Sequence, residues 1–154
     1  MVHRAAVRTD GSARQRTEAN QVDVQEGSAT EDANRVAMMR FWEATETRDV
    51  AALTALAHPD IVMEWPQSGE RFTGIDNALG ALRAQEVTPE MAGEPSLEGC
   101  GDVWVARAPL RYGEDIYHYV GIFTVEDGKV RGTTEFFGAP FPPNPARAEF
   151  TDPS

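Results

Sequence analysis

The sequence predicts an α+β domain in which about three helices pack on a curved, mainly antiparallel sheet. Three observations carry that expectation. Apolar residues recur at helical spacing before Arg48. From Trp104 to Tyr112 apolar and mixed positions alternate strictly, the period of a half-buried strand. Asp127-Gly128 then separates two strand-like runs, as a tight hairpin turn does.

Each element follows from local chemistry. Ser28-Ala29-Thr30-Glu31 is a capping-box pattern and predicts a helix to about Arg48, with Met38, Phe41, Trp42 and Thr45 on its buried face. Asp49 is placed to cap a second helix, with Val50, Leu53, Leu56 and Ala57 inward, and His58-Pro59-Asp60 ends it. Ile61 to Trp65 reads as the first strand. Thr73-Gly74-Ile75-Asp76 opens a third helix to about Gln85, with Ile75, Leu79 and Leu82 as its stripe. Residues 86–95 hold Pro89, Gly93 and Pro95 and read as a loop. Ser96–Gly99, the alternating run to Tyr112, Ile116–Val125 and Val130–Gly138 complete the sheet. Pro109 implies a local edge or bulge.

A chain of 154 residues with 41% hydrophobic residues suits one domain. Residues 1–28 are polar, lack aromatics and read as a disordered extension; 29–140 form the domain, and 141–154 a proline-rich arm. The net charge is −11, and all of it falls on residues 31–154, with ten basic against twenty-one acidic side chains. Such a surface repels phosphate backbones and anionic membranes, so neither nucleic acid nor membrane is an expected partner. A lone cysteine, Cys100, excludes an internal disulfide, and no apolar leader or span is legible; the expectation is a cytoplasmic protein. Histidines stand only at 3, 58 and 118, and no phosphate-loop, dinucleotide or serine-elbow motif occurs, so no metal site and no cofactor are expected.

Several short signals recur in one order: Arg48-Asp49-Val50, Pro59-Asp60-Ile61-Val62, Gly74-Ile75-Asp76, Gly128-Lys129-Val130 and Phe136-Phe137-Gly138. With that element order, residues 31–140 resemble the nuclear transport factor 2-like (NTF2-like) superfamily, in its SnoaL-like and ketosteroid-isomerase-like branches. The run Glu64 to Arg71, with Phe137 to Phe141, looks like an actinobacterial subgroup of it. The resemblance implies a cone-shaped pocket between sheet and helices, and a homodimer packed through the sheets. It spans enzymes and non-enzymes, so the site must decide function. The steroid-isomerase residues of that superfamily are missing: Trp65 stands where a carboxylate belongs, Phe41 for a tyrosine and Gly121 for an acid. The Asp-Arg-Asp relay of its epoxide hydrolases is missing around Arg107 and Arg111 as well.

Strand parity gives a lining. If Trp65 points inward, so do Ile61 and Met63. If Gly121 does, so do Tyr117, Tyr119 and Phe123; Phe137 brings Glu135 and Thr133 with it. Glu135 is the candidate catalytic acid, because a carboxyl among aromatic rings has its pKa raised by desolvation. Phe41, Trp65, Gln67, Trp104, Tyr112, Tyr117, Tyr119 and Phe137 are the candidate substrate-binding residues. Trp42 and Trp104 read also as core, His118 as a sheet residue, and Gln67 as part of the Ser68-Gly69 turn. Glu64 is expected to face outward onto an arginine, and Glu70 and Arg71 to pair with each other. The expected ligand is a small apolar, flat or polycyclic molecule. Two functions stay open: a cofactor-independent cyclase, isomerase, dehydratase or hydrolase working by acid/base catalysis, or a non-catalytic ligand-binding or dimerisation module with the same cavity.

Overall fold

The computed structural model describes the backbone of residues 12–152 and the side chains of residues 30–152. The expectation for residues 1–11 lies outside the described residues.

The first helix, α1, runs Ser12–Thr47, well upstream of the Ser28 capping pattern. No proline interrupts 12–28, and Gly27 alone costs only about 1 kcal/mol in a helix, so the pattern sits inside the helix instead of starting it. Ala37, Met38, Phe41 and Ala44 make its buried face. Asn34, almost fully buried, ties α1 to two turns. Its Nδ2 donates to Gly101 O at 3.2 Å and Asp102 Oδ1 at 3.0 Å, and its Oδ1 accepts from Gly128 N at 3.3 Å.

The end of α1 is a Schellman turn. Asp49 N donates to Ala44 O at 2.9 Å and Arg48 N to Thr45 O at 3.3 Å, with Arg48 left-handed at φ 54°. Asp49 then caps α2 (Val50–Leu56): its Oδ1 accepts from Ala52 N at 3.0 Å. Asp49→Ala is expected to cost about 1 kcal/mol, read as a lower denaturant midpoint with unchanged slope.

Strand β1 (Ala57–Trp65) begins earlier than expected, because His58 to Ile61 bulge out of register rather than ending the chain direction. His58 Nδ1 accepts from Asp60 N at 3.1 Å and meets Arg131 Nη1 at 2.7 Å, which fixes the bulge. A turn leads into β2 (Glu70–Thr73), which the sequence did not reveal: it is short, exposed, and has Phe72 as its only apolar residue. Helix α3 (Ile75–Arg83) is capped by Gly74 at φ 86°, with no side-chain cap from Thr73. Strands β3 (Glu90–Met91), β4 (Ser96–Cys100), β5 (Val103–Tyr112), β6 (Asp115–Glu126) and β7 (Lys129–Gly138) follow, then a short 3-10 helix, Pro145–Phe150, in the proline-rich arm.

The sheet order is β2-β1-β7-β6-β5-β3, with β4 also on β5. Only β1 and β7 run parallel. The sheet is therefore mixed, and its helices cover one face. Pro109 falls opposite the break between β3 and β4, so its missing N–H costs no ladder bond. Asp127 (φ 52°) and Gly128 (φ 70°) turn β6 into β7 as the sequence predicts. No helix among the described residues is long and apolar enough to cross a membrane.

Outward charges pair across strands. Glu64 meets Arg71 at 3.0 Å and Glu98 meets Arg107 at 2.6 Å. Arg71 thus pairs with Glu64, its cross-strand neighbour, and not with Glu70, which accepts from Ser68 Oγ at 2.6 Å. Adjacent residues on a strand point to opposite faces, which rules out the expected Glu70–Arg71 pair.

Candidate functional site

Between the sheet and the three helices lies a cavity of about 440 Å³, the size of a small-molecule site. The cone is hollow, not filled by its aromatic residues. Its floor is buried: Phe41 from α1, Ile61 and Met63 from β1, Tyr119 and Phe123 from β6, Thr133 and Glu135 from β7. Its mouth lies between the α1–α2 joint and the C-terminal end of α3, where Glu46, Arg48, Arg83 and Met91 stand exposed.

Glu135 is the buried acid of the floor, only 9% exposed. Alternation along β7 puts it inside with Thr133 and Phe137. Desolvation raises its pKa; a hydrogen bond from Trp65 and the nearby Thr133 hydroxyl work against that rise. Trp65 Nε1 donates to Glu135 Oε2 at 3.2 Å. Thr133 Oγ1 falls short of hydrogen-bond geometry with any group and is the one buried side-chain polar atom without a partner among the described residues.

Two phenols share the cavity with Glu135. Burial, then the Glu135 charge, pushes Tyr119 well above the usual phenol range. Tyr112 is raised by burial; Arg48 works against that rise, and Glu135 and Tyr117 add to it. Gly121 faces Glu135 directly across the β6–β7 ladder. A Cβ on Gly121 would collide with Tyr119 Oη and the Phe123 ring. The absent side chain thus makes the room in which the Tyr119 hydroxyl lies, opposite the acid.

A SnoaL-like domain model matches residues 38–133, well over half of the chain. The chain belongs to the SnoaL-like domain family. Solved structures agree on the fold. An NTF2-like protein of unknown function from Burkholderia xenovorans is 28% identical over 80% of this chain and 96% of its own, with a TM-score of 0.66. A candidate ketosteroid isomerase from Kribbella flavida is 22% identical over 80% and 91%, with a TM-score of 0.68. An epoxide hydrolase of the LEH-like type from M. tuberculosis is 19% identical over 70% and 84%, with a TM-score of 0.54. No curated protein matches the chain.

In this SnoaL-like chain the structure brings Glu135, Phe41, Tyr112, Tyr119 and Phe137 together on the cavity wall. The other sequence candidates lie elsewhere. Trp65 stands behind Glu135 and holds its carboxyl, with its ring against Phe72 and Phe137. Gln67 is spent on the Phe137 backbone: Nε2 donates to Phe137 O at 2.9 Å and Oε1 accepts from Phe137 N at 3.2 Å. Tyr117 packs edge-on against Tyr112, outside the lining. Trp104 is core at the opposite end of β5 from Tyr112, 2% exposed. Trp42, read as core, instead lines the cavity beside Tyr119. Sequence reasoning missed Arg48 and Arg83. The one available signal for Arg48 was an arginine just past a helix end, where glycine is the usual residue.

Proposed function

We propose that this protein is a cofactor-independent enzyme that binds a small, largely apolar molecule in the cone and works on it by acid/base chemistry at Glu135. The observation that carries this reading is a desolvated carboxyl on the floor of an open apolar cavity, oriented by Trp65 and flanked by the Tyr119 phenol. Raising the pKa of a carboxyl toward neutrality suits it to take or give a proton at physiological pH. The tyrosine hydroxyls are donors for oxygen on the substrate. The names of the Kribbella and M. tuberculosis neighbours, an isomerase and a hydrolase, fit proton transfer in this fold.

The test is exchange of a carbon-bound proton with solvent deuterium in a panel of cyclic ketones and polyketide-like diketones, followed by NMR. Wild-type protein exchanges at least one member above the buffer rate, and Glu135→Gln does not. Equal exchange by the two proteins would remove Glu135 from the reaction and leave a binding module with the same cavity.

The assembly proposed is a homodimer through the uncovered sheet face. Val105, Val120, Ile122 and Phe136 form a contiguous apolar patch there across three strands, and Ile122 is 39% exposed. Ile122→Glu is expected to shift light-scattering mass from two chains to one; an unchanged mass places the contact elsewhere. The exposed thiol of Cys100 suits a reducing cytoplasm, the proposed location.

A further inference from the structure

Arg48 sits where the backbone disfavours it. The residue that ends a Schellman turn takes the left-handed conformation, which glycine adopts freely and other residues adopt at a cost. Arg48 is held there at φ 54° by the bonds of Asp49 N and Arg48 N to the end of α1. Its side chain lines the mouth of the cavity. It makes no ion pair among the described residues; on the sheet Arg71, Arg107 and Arg131 are each matched to a glutamate, and Arg111 is not. Its charge reaches Tyr112 inside the cavity.

Other charges face the same opening. Arg83 lines it too, although its place in the last turn of α3 already has a reason in the helix dipole. Glu46 is on the α1 side and pairs with neither arginine. In a chain of net charge −11, two guanidinium groups against one carboxylate make the mouth a cationic exception. At the other end of the cavity Thr133 Oγ1, 95% buried, lies beside the Glu135 carboxyl without a well-formed bond to it. A buried hydroxyl without a bond costs stability unless a ligand or water completes it.

We propose that the cavity takes an amphipathic organic anion: an apolar body between the walls, a hydrogen-bonding group at the floor beside Thr133 and Glu135, and a carboxylate at the mouth on Arg48. The planar guanidinium binds a carboxylate through two parallel bonds, which a neutral amide cannot reproduce. This deepens the pocket reading given above and rests on the same cavity. It does not require Glu135 to be catalytic.

The experiment uses the full chain and a matched pair of probes, naphthylacetate and naphthylacetamide, with affinities measured by calorimetry at low salt. Wild type is expected to favour the carboxylate by about tenfold. High salt narrows that preference. Arg48→Gly is expected to abolish the preference while raising the melting temperature, because glycine relieves the left-handed strain. Arg48→Lys keeps a reduced preference, because its charge remains but the planar fork is lost. An equal affinity for both probes in wild type, a preference that survives Arg48→Gly, or binding of neither at millimolar concentration overturns the proposal. Wild-type protein that exchanges protons but binds both probes equally fails this proposal alone; wild-type protein that prefers the carboxylate but exchanges no proton fails the catalytic reading alone.

Discussion

Glu135→Gln is expected to slow turnover by roughly a hundredfold or more and, at neutral pH, to make the protein more heat-stable. The two effects have one cause. Burial penalises the carboxylate, so the folded-state pKa lies above the unfolded-state value. Between those two values the folded state binds the extra proton, and stability falls as pH rises. Below the unfolded-state pKa both states are protonated and the penalty is gone. Above the folded-state pKa the penalty is complete and constant. Glutamine carries no charge, still accepts from Trp65 Nε1, and fills nearly the same volume. The variant should therefore melt above wild type at pH 8. The two melting curves should converge as the pH is lowered past the ordinary carboxyl range. A variant less stable than wild type at pH 8 would show that the carboxylate is held by more than Trp65 and has no raised pKa to use. A variant with full activity would leave the carboxyl as a structural acceptor.

Most of the fold was legible because its signals are local. The Asp127-Gly128 turn, the Asp49 cap and the alternation of β5, β6 and β7 each depend on a few neighbouring residues. The parts that were not legible depend on pairing partners distant in sequence. Strand β2 has one apolar residue and exists because β1 lies beside it. Strand β3 is two residues whose only partners are Arg111 and Leu110. The same division runs through the site. Parity along β7 places Glu135 inside, and parity along β6 places Tyr119 there. Parity fixes the face of a strand but not the depth along it. Trp104 and Tyr112 share a face of β5, yet Tyr112 lines the cavity and Trp104 packs in the solid core under α1. Arg48 is marked locally only by standing where glycine usually ends a helix; that its side chain reaches the cavity depends on how the sheet and α3 close around the α1–α2 joint, which lies far away in sequence.

That distinction makes Trp104→Ala the other large effect. Trp104 is 2% exposed, donates through Nε1 to Gly101 O at 3.1 Å, and is covered by the Arg35 guanidinium at 5.2 Å from its ring. Gly99, its partner on β4, has no room for a Cβ, which would meet Trp104 Cα and the indole. The indole is therefore closely packed on the side where β4 crosses it. Truncation leaves a cavity in rigid surroundings, and such losses cost about 3–5 kcal/mol for a buried tryptophan. The urea midpoint should fall by that free energy divided by the slope, with the slope unchanged. Because the indole does not touch the ligand cavity, the folded fraction of the variant should bind naphthylacetate with wild-type affinity. Trp104→Phe keeps most of the buried volume and loses only the bond to Gly101, so it is expected to recover more than half of the stability. Weakened binding in a Trp104→Ala protein that has lost less than about 1 kcal/mol would reverse the assignment and return Trp104 to the pocket.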